Sequence, residues 1–265
     1  MRLTIRHSSH YDYAAPVPYA VLRLKLTPKT LPMQQVLNWT LTVEGGTRDF
    51  SYADAWGNIT DLVTVARGAD SVTLIASGEV ETRDLAGVYR PEANEAPLWL
   101  FERQTALTEP GTAIRDLAAP LRSTADGLDL CHRLAARIHA EIAYEPGTTS
   151  VMTGAEEALA AKKGVCQDHA HVFIAAARHL GIPARYVSGY LMMPGQHEQV
   201  ATHAWAEAWV EGLGWVGFDA ANAVCPDDKY VRIAHGLDYK EAAPVTGVRS
   251  GHGDETLAVA VLVEQ

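Results

Sequence analysis

The sequence predicts an α+β protein, because a strand-rich beginning is followed by helical periodicity and then by strands again. Up to about residue 83, short runs alternate apolar and polar residues, as in VLNWTLTV at 36–43, and this is the period of half-buried strands. Three prolines between residues 91 and 110 precede a change to helical spacing. A chain of 265 residues is long enough for two domains. We therefore expect an antiparallel β-sandwich over residues 1–95 and a second domain over residues 96–265.

Charge and composition exclude several classes of function. The formal net charge is −10, whereas nucleic-acid and anionic-membrane surfaces need concentrated lysine and arginine. No segment approaches the roughly 18 consecutive apolar residues of a membrane span, and the first residues lack the apolar run of a signal peptide. We therefore expect a cytoplasmic protein with neither a nucleic-acid nor a membrane partner. Three cysteines leave at least one thiol unpaired and available for chemistry.

Turn residues separate the N-terminal strands and favour an antiparallel sandwich over βαβ units. Glycines with polar or aromatic neighbours interrupt the alternation at 45–46, 56–58 and 67–70. Nothing in this part of the sequence resembles a catalytic constellation. His7 and His10 are close in sequence, but scattered histidines in a β-domain are mostly structural, and we assign them no role.

The helical part of the chain begins with a well-marked helix. Asp126 is placed to cap it, and apolar residues recur every fourth position from Leu130 to Ile142, which gives one stripe against a core. Cys131 lies beside this stripe. We therefore interpret Cys131 as a buried structural thiol.

A second helix and the turn after it lead to the candidate nucleophile. Residues 153–156 (TGAE) fit a capping box, and the helix that they start is expected to end at 162–164 (KKG), where Gly164 turns the chain. Cys166 then lies in the first turn of another helix, which stops at Gly181. The unpaired amides and the dipole of a helix start favour an anion, so they stabilise a Cys166 thiolate.

Strict alternation over residues 201–210 (ATHAWAEAWV) predicts a strand with two different faces. One face presents His203, Trp205, Glu207 and Trp209, and the other presents mainly alanine and valine. A polar and aromatic face suits a cleft, although aromatic strand residues are more often part of a core. Because histidine titrates near neutral pH, His203 is suited to deprotonate a thiol and later to protonate a leaving amine.

A glycine-containing hairpin (GLG) returns the chain to Asp219, the candidate orienting acid. A three-residue loop that pairs Glu211 with Trp215 would place Asp219 opposite Glu207, four residues from His203, which is about 13 Å along a strand. Direct contact with His203 would then need a bulge or a register centred near residue 211. Glu207 is therefore the alternative orienting acid.

Four blocks of the sequence together resemble the core of bacterial transglutaminase-like proteins, which are often described as predicted cysteine proteases. The blocks occur in that family's order, as GVCQDHAH at 164–171, GIPARYVSGY at 181–190, HAWAE at 203–207 and GWVGFD at 214–219. The strand-rich beginning also resembles the N-terminal region that accompanies this core. One departure is visible, because the family usually continues after its Asp with Pro-Thr-Asn, whereas this chain reads AAN at 220–222.

The resemblance implies a papain-like, transglutaminase-like α+β core in which a catalytic helix packs on an antiparallel sheet. It implies Cys166 as the nucleophile, His203 as the base and Asp219 as the third member of the triad. The expected reaction is thiol-dependent acyl transfer on a peptide or carboxamide bond of a protein or peptide substrate, without a cofactor or a metal. The Cys166 backbone amide is the expected oxyanion donor.

The triad serves more than one reaction. We favour hydrolysis, as by a cysteine protease or amidase, because no sequence feature identifies a second cleft for an amine; the alternatives are a transglutaminase and a noncatalytic peptide-binding module. A zinc site of Cys166, His169, His171 and His203 is disfavoured, since residues five apart on a helix diverge. Cys225 is interpreted as incidental. Near the C-terminus, a loop is expected over residues 247–253 and a last strand over residues 257–263.

Overall fold

The computed structural model describes residues 1–90, 96–124, 126–195 and 198–265. The strands, in chain order, are β1 (Arg2–Val17), β2 (Tyr19–Leu24), β3 (Gln34–Glu44), β4 (Gly46–Ala53), β5 (Ile59–Val65), β6 (Ala69–Thr82), β7 (Val88–Tyr89), β8 (Ala143–Tyr144), β9 (Lys163–Gly164), β10 (Ala184–Leu191), β11 (Glu198–Gln199), β12 (His203–Val210), β13 (Gly214–Phe218), β14 (Tyr230–Gly236), β15 (Val245–Ser250) and β16 (Glu255–Glu264). The helices are α1 (Thr112–Ala118), α2 (Gly127–Glu141), α3 (Ala155–Ala161), α4 (Cys166–His179) and α5 (Tyr239–Ala242), with 3₁₀ turns at Leu98–Glu102 and Ala119–Leu121. The longest of these described helices has 15 residues, fewer than the about 20 needed to cross a bilayer.

Two antiparallel sheets form the sandwich that the first part of the sequence predicts. Their strand orders are β11–β16–β1–β6–β3 and β15–β2–β5–β4. Strand β1 buries every second residue along most of its length, as the alternation in the sequence requires. Tyr11 and Leu74 of the first sheet and Leu24 and Val63 of the second belong to one buried apolar cluster. This shared cluster is the core of the sandwich.

The last two strands of the chain, β15 and β16, belong to the sandwich and not to the second predicted part. β15 pairs with β2 and β16 pairs with β1, so the end of the chain completes both sheets of the sandwich. The last strand is therefore confirmed, whereas the expected loop over residues 247–253 is wrong in its first half, which lies in β15. The predicted boundary at residue 95 falls on residues 91–95, outside the described residues, and the division into two domains stays a prediction.

A third sheet and helix α4 form the core of the second part. The sheet has the order β14–β10–β12–β13–β7, and each neighbouring pair is antiparallel. Helix α4 lies on this sheet, where Phe173 stacks on Phe218 at 5.1 Å between ring centroids. The alanine and valine face of β12 is buried in the same apolar cluster. The expected packing of a helix on an antiparallel sheet is thus confirmed.

Helix α2 has the N-terminal cap and the buried apolar stripe that the sequence predicts. The Asp126 carboxylate accepts the amides of Leu128 and Asp129 at 2.8 and 3.3 Å, which is the expected cap. Residues Leu130 and Ile142 at the two ends of the predicted stripe are buried. The stripe therefore faces the core as predicted.

The predicted capping box of α3 is wrong. Helix α3 begins at Ala155 without a side-chain cap, and the Glu156 carboxylate instead accepts three amides at the start of α1. The donors are Gly111 at 2.9 Å, Ala113 at 2.7 Å and Ile114 at 3.1 Å. The left-handed residue that ends α3 is Lys162, with φ 56°. Gly164 is needed for a different reason, since an added Cβ there would lie 2.6 Å from an Asp168 carboxylate oxygen.

Candidate active site

Cys166 begins helix α4, and the side chain of Asp168 fixes this helix start. The Asp168 Oδ2 atom accepts the Val165 amide at 2.7 Å and the Thr149 hydroxyl at 2.7 Å. Burial raises the pKa of the Asp168 carboxyl, and these hydrogen bonds oppose that effect. Cys166 itself is half-buried. The sequence-predicted nucleophile is therefore accessible at a rigidly held helix N-terminus, where partial positive charge favours an anion.

The hairpin between β12 and β13 brings His203 and Asp219 together by a register that differs from the predicted one. Val210 pairs with Gly214, so the ladder is shifted by two residues from the predicted pairing of Glu211 with Trp215. Continuing this ladder places Asp219 beside Trp205, diagonal to His203 on the same face. Such diagonal neighbours lie about 7–8 Å apart at Cα, within reach of long side chains. No bulge is needed for the contact.

Asp219 accepts hydrogen bonds on both carboxylate oxygens. Oδ2 accepts from His203 Nε2 at 2.7 Å, from Asn222 Nδ2 at 2.7 Å and from the Tyr230 hydroxyl at 2.8 Å. Oδ1 accepts the amides of Ala221 and Asn222 at 3.1 and 3.2 Å. Burial favours the neutral acid, but these donors outweigh it and lower the pKa of Asp219. The carboxylate is therefore ionised beside the imidazole.

His203 lies between this carboxylate and the thiol. Burial favours a neutral ring, but hydrogen bonds to Asp219 and Cys166 and their negative charges raise the pKa of His203 to about 10. Because Nε2 binds Asp219, Nδ1 is the ring nitrogen left to face Cys166. The indole of Trp205 stacks on the imidazole at 6.3 Å between centroids and limits its rotation. The arrangement suits a thiolate–imidazolium pair.

Glu207, the alternative orienting acid, has a structural role instead. Its carboxylate contacts the guanidinium groups of Arg185 at 2.5 Å and Arg232 at 3.2 Å. All three side chains are buried, and the arginines outweigh the burial effect and lower the pKa of Glu207. Arg185 also lies over the Trp215 ring at 4.0 Å. This network packs the sheet from the side opposite α4.

Two residues of the site, Tyr230 and Asn222, were not predicted from the sequence. Tyr230 reaches Asp219 from β14, which is not a neighbour of β13 in the sheet, and only the tertiary fold brings it there. Asn222 lies three residues after Asp219, and its side-chain amide and its backbone amide both donate to the carboxylate. The missing proline of the family pattern leaves this turn intact, since Asp219 and Val224 form a β-bridge across it.

The zinc alternative is not supported by the positions of its histidines. The His169 ring nitrogens lie 2.8 Å from the Val165 carbonyl and 3.2 Å from the Ile142 carbonyl, and His171 Nε2 accepts the Tyr239 amide at 3.1 Å. Across the described ranges, no group of three or more His, Cys, Asp or Glu residues is arranged to hold a metal ion.

The other two cysteines differ from Cys166 in their surroundings. Cys131 is fully buried, as predicted, and burial raises the pKa of its thiol to about 12. Cys225 is half-buried, and burial likewise raises the pKa of its thiol. Neither thiol is therefore suited to form a thiolate at neutral pH.

Comparison with protein families gives two matches along the chain. Residues 115–220 match the model of the transglutaminase-like superfamily, and residues 3–81 match that of the bacterial transglutaminase-like N-terminal region. The first match contains Cys166, His203 and Asp219. The second covers most of the strands that form the sandwich.

Individual relatives and a solved structure agree with these matches. An uncharacterised protein of Mycobacterium leprae is 30% identical over 273 residues, covering 98% of this chain and 97% of the relative. A protein-glutamine gamma-glutamyltransferase of Pseudomonas aeruginosa is 30% identical over 164 residues, covering 53% of this chain and 24% of that protein. A crystal structure from Cytophaga hutchinsonii, proposed to be a cysteine protease, has a TM-score of 0.79 at 20% identity and covers 100% of this chain and 90% of its own. The last likeness supports the fold alone.

Proposed function

Because the chain belongs to the transglutaminase-like superfamily, we propose that it is a thiol-dependent acyl-transfer enzyme acting on peptide or carboxamide bonds. Cys166 is the nucleophile, His203 the acid and base, and Asp219 the group that orients and charges the imidazole. The substrate is a protein or peptide, and water is the acyl acceptor.

One observation carries this proposal, namely the position of the His203 imidazole between a buried carboxylate and a half-exposed thiol. The Asp219 oxygen lies 2.7 Å from Nε2, and the Cys166 thiol is close enough to the imidazole to contribute to the raised pKa of His203. An ionised carboxylate stabilises imidazolium, and imidazolium stabilises a thiolate. The same carboxylate fixes the ring orientation, as the third member of such a triad does.

The proposed reaction proceeds in two halves. The Cys166 sulfur forms a bond to the carbonyl carbon, His203 gives its proton to the leaving nitrogen, and the C–N bond breaks to leave a thioester. Water then attacks the thioester, His203 accepts a proton from it, and the C–S bond breaks to release a carboxylic acid and the thiolate. The Cys166 amide in the first turn of α4 is the proposed oxyanion donor, a contribution of about 2.7–4 kcal/mol in comparable sites.

The similarity to a protein-glutamine gamma-glutamyltransferase favours a second candidate, in which an amine takes the place of water. The first half of the reaction is the same in both cases. The acceptor alone distinguishes a protease or amidase from a transglutaminase.

Two experiments test the proposal: the first measures the reactivity of the three thiols, and the second identifies the reaction products. Limiting iodoacetamide should alkylate Cys166 well before Cys131 and Cys225 at neutral pH, and His203→Ala should remove this advantage; mass spectrometry of the digested protein measures both. Glutamine-containing peptides and peptide amides are then incubated with and without a primary amine, with Cys166→Ala as the control. Hydrolysis products that persist in the presence of the amine support the proposal, and amine adducts support the transglutaminase. Equal reactivity of the three thiols would favour a noncatalytic binding module.

We also propose that the protein works in the cytoplasm. All three cysteines are free thiols in the structure, which suits a reducing compartment. Cell fractionation with an antibody to the native protein tests this, and recovery from the cell exterior contradicts it.

A further inference from the structure

Four exposed apolar side chains lie on segments next to the candidate active site. Tyr144, Val151, Met152 and Val224 are 56%, 51%, 59% and 48% exposed, and each lies on a segment bonded to a residue of the site or next to one. Large apolar side chains grouped at a surface commonly mark a place where a ligand or partner binds. The four residues are called the apolar rim below.

Two members of the apolar rim are held beside the nucleophile by the helix that carries it. The Gln167 side-chain amide donates to the Val151 carbonyl at 3.2 Å, and the Thr149 hydroxyl donates to the Asp168 carboxylate at 2.7 Å. Gln167 and Asp168 directly follow Cys166. The chain at residues 149–152 is therefore fixed to the start of α4, and the exposed side chains of Val151 and Met152 lie on this segment, which is bonded to the two residues that follow Cys166.

Tyr144 reaches the same place from the strand before it. In the parallel pair β8 and β9, Tyr144 lies opposite Gly164, two residues before Cys166. Burial raises the pKa of its hydroxyl to about 12, with smaller effects from the negative charges of Cys166 and Asp219. The Tyr144 ring also lies against the His169 ring of α4, with 6.2 Å between the ring centroids, and the residue is 56% exposed.

Val224 supplies an apolar surface on the Asp219 side of the site. The Asp219 amide donates to the Val224 carbonyl at 2.8 Å, and the Val224 amide donates back at 3.2 Å. This bridge fixes Val224 across the turn that carries the triad carboxylate. The apolar rim thus has members next to the nucleophile and next to the orienting acid.

We infer that the apolar rim binds the acyl donor and selects one whose side chain next to the attacked carbonyl is apolar. The inference rests on the proposed function, because it concerns the substrate of the same site. Burying apolar surface on binding is favourable by about 25 cal/mol per Å². An acidic side chain would instead lose hydration against the apolar rim, whose four residues offer it no cationic side chain, and this disfavours acidic donors.

Two reactive amino-acid derivatives of similar size separate polarity from shape. N-acetyl-leucine and N-acetyl-asparagine chloromethyl ketones both alkylate a thiolate and require no amide cleavage, so the ratio of their rates at Cys166 reports side-chain selection alone. The test variant combines Val151→Thr with Met152→Gln. The control combines Val248→Thr with Leu257→Gln, which are 69% and 51% exposed on β15 and β16.

The leucine derivative should react faster with the native protein, and its advantage should fall by about fivefold or more in the test variant, equivalent to about 1 kcal/mol. The control variant should keep the native ratio, and iodoacetamide should react with Cys166 at the same rate in all three proteins. A native ratio near one, or an equal ratio in the test variant, would overturn the inference. The proposed function would then still stand if iodoacetamide alkylation is fast and depends on His203. Slow alkylation by every reagent would remove the proposed function and this inference with it.

Discussion

Asp219→Asn removes the charge next to His203 and keeps the size of the side chain. In the native protein the Asp219 carboxylate lies 2.7 Å from His203 Nε2 and also accepts hydrogen bonds from Tyr230 and Asn222. Asparagine can still accept a hydrogen bond from the imidazole. The substitution therefore removes the negative charge beside the imidazolium, and because both carboxylate oxygens accept hydrogen bonds it also sets the new amide NH2 group against the remaining donors.

The expected change in the pKa of His203 follows from the distance between the two charges and from their burial. Two unit charges 4 Å apart interact by about 4 kcal/mol at an effective dielectric constant of about 20, which equals about three pKa units at 1.36 kcal/mol each. The donors from Tyr230 and Asn222 already share part of the carboxylate charge, so a shift of about two units is expected from this estimate. The pKa of His203 is raised from 6.5 to about 10 in the native protein. In Asp219→Asn it should fall towards about 8.

The raised pKa of His203 determines how the stability of the folded protein changes with pH. A group that is more basic in the folded protein contributes stability that is fully present below the unfolded value, here 6.5, and is lost as the pH rises through the folded value of about 10. Asp219→Asn should move the upper end of this window to lower pH. It should therefore destabilise the protein most below about pH 8, and the difference in stability should disappear as the pH rises from about 8 to about 10.

NMR titration of the histidine ring protons measures the shift without a substrate. The His203 signals are identified by their loss in His203→Ala, and Glu207→Gln is the matched control because Glu207 is the other acid on the same face of β12. The control should leave the pKa of His203 near its native value. An unchanged His203 pKa in Asp219→Asn, together with a lowered pKa in Glu207→Gln, would refute the assignment of the orienting acid.

Two further substitutions test how the fold supports the site. Glu207→Gln should destabilise the protein by about 3–5 kcal/mol, because it leaves two buried guanidinium groups without this carboxylate; urea denaturation measures the loss, and the rate of Cys166 alkylation per folded molecule should not change. Gly189→Ala should lower that alkylation rate, since an added Cβ would clash with the Val231 carbonyl oxygen of β14 and lie 2.5 Å from the Trp205 ring that stacks on His203. Gly127→Ala, where an added Cβ meets open space, is its control and should be neutral. Native stability of Glu207→Gln, or a native rate in Gly189→Ala, would contradict these roles.

The parts of the fold that the sequence predicted correctly depend on local patterns. Alternation identified β1 and β12, the Asp126 cap identified the start of α2, and the glycine at 181 marked the end of α4. Side-chain direction in a strand or helix is set by backbone geometry within a few residues. The two faces of β12 could therefore be assigned before the structure was known, with His203 on one and alanines on the other.

Features that depend on distant partners could not be predicted in this way. The Glu156 carboxylate caps α1, more than forty residues earlier, and its fit to a local capping box is coincidental. The hairpin register differs by two residues from the predicted one, because the glycines at 212 and 214 allow hairpin loops of more than one length. The pairing of β15 and β16 with the first strands joins residues more than 200 positions apart in the chain, and no local pattern specifies such partners.

The sequence blocks that mark the family contain more residues that build the site than residues that we propose to react. Asp168 holds the helix start, and Glu207 balances two buried arginines behind the sheet. His203 and Asp219 also join β12 to the turn after β13, so a binding protein of this fold could retain them for stability. Cys166 is different, because its half-buried thiol lies in the first turn of α4, close enough to the His203 imidazole to contribute to its raised pKa. Its identity is therefore the feature of this chain that most directly favours an enzyme over a binding module.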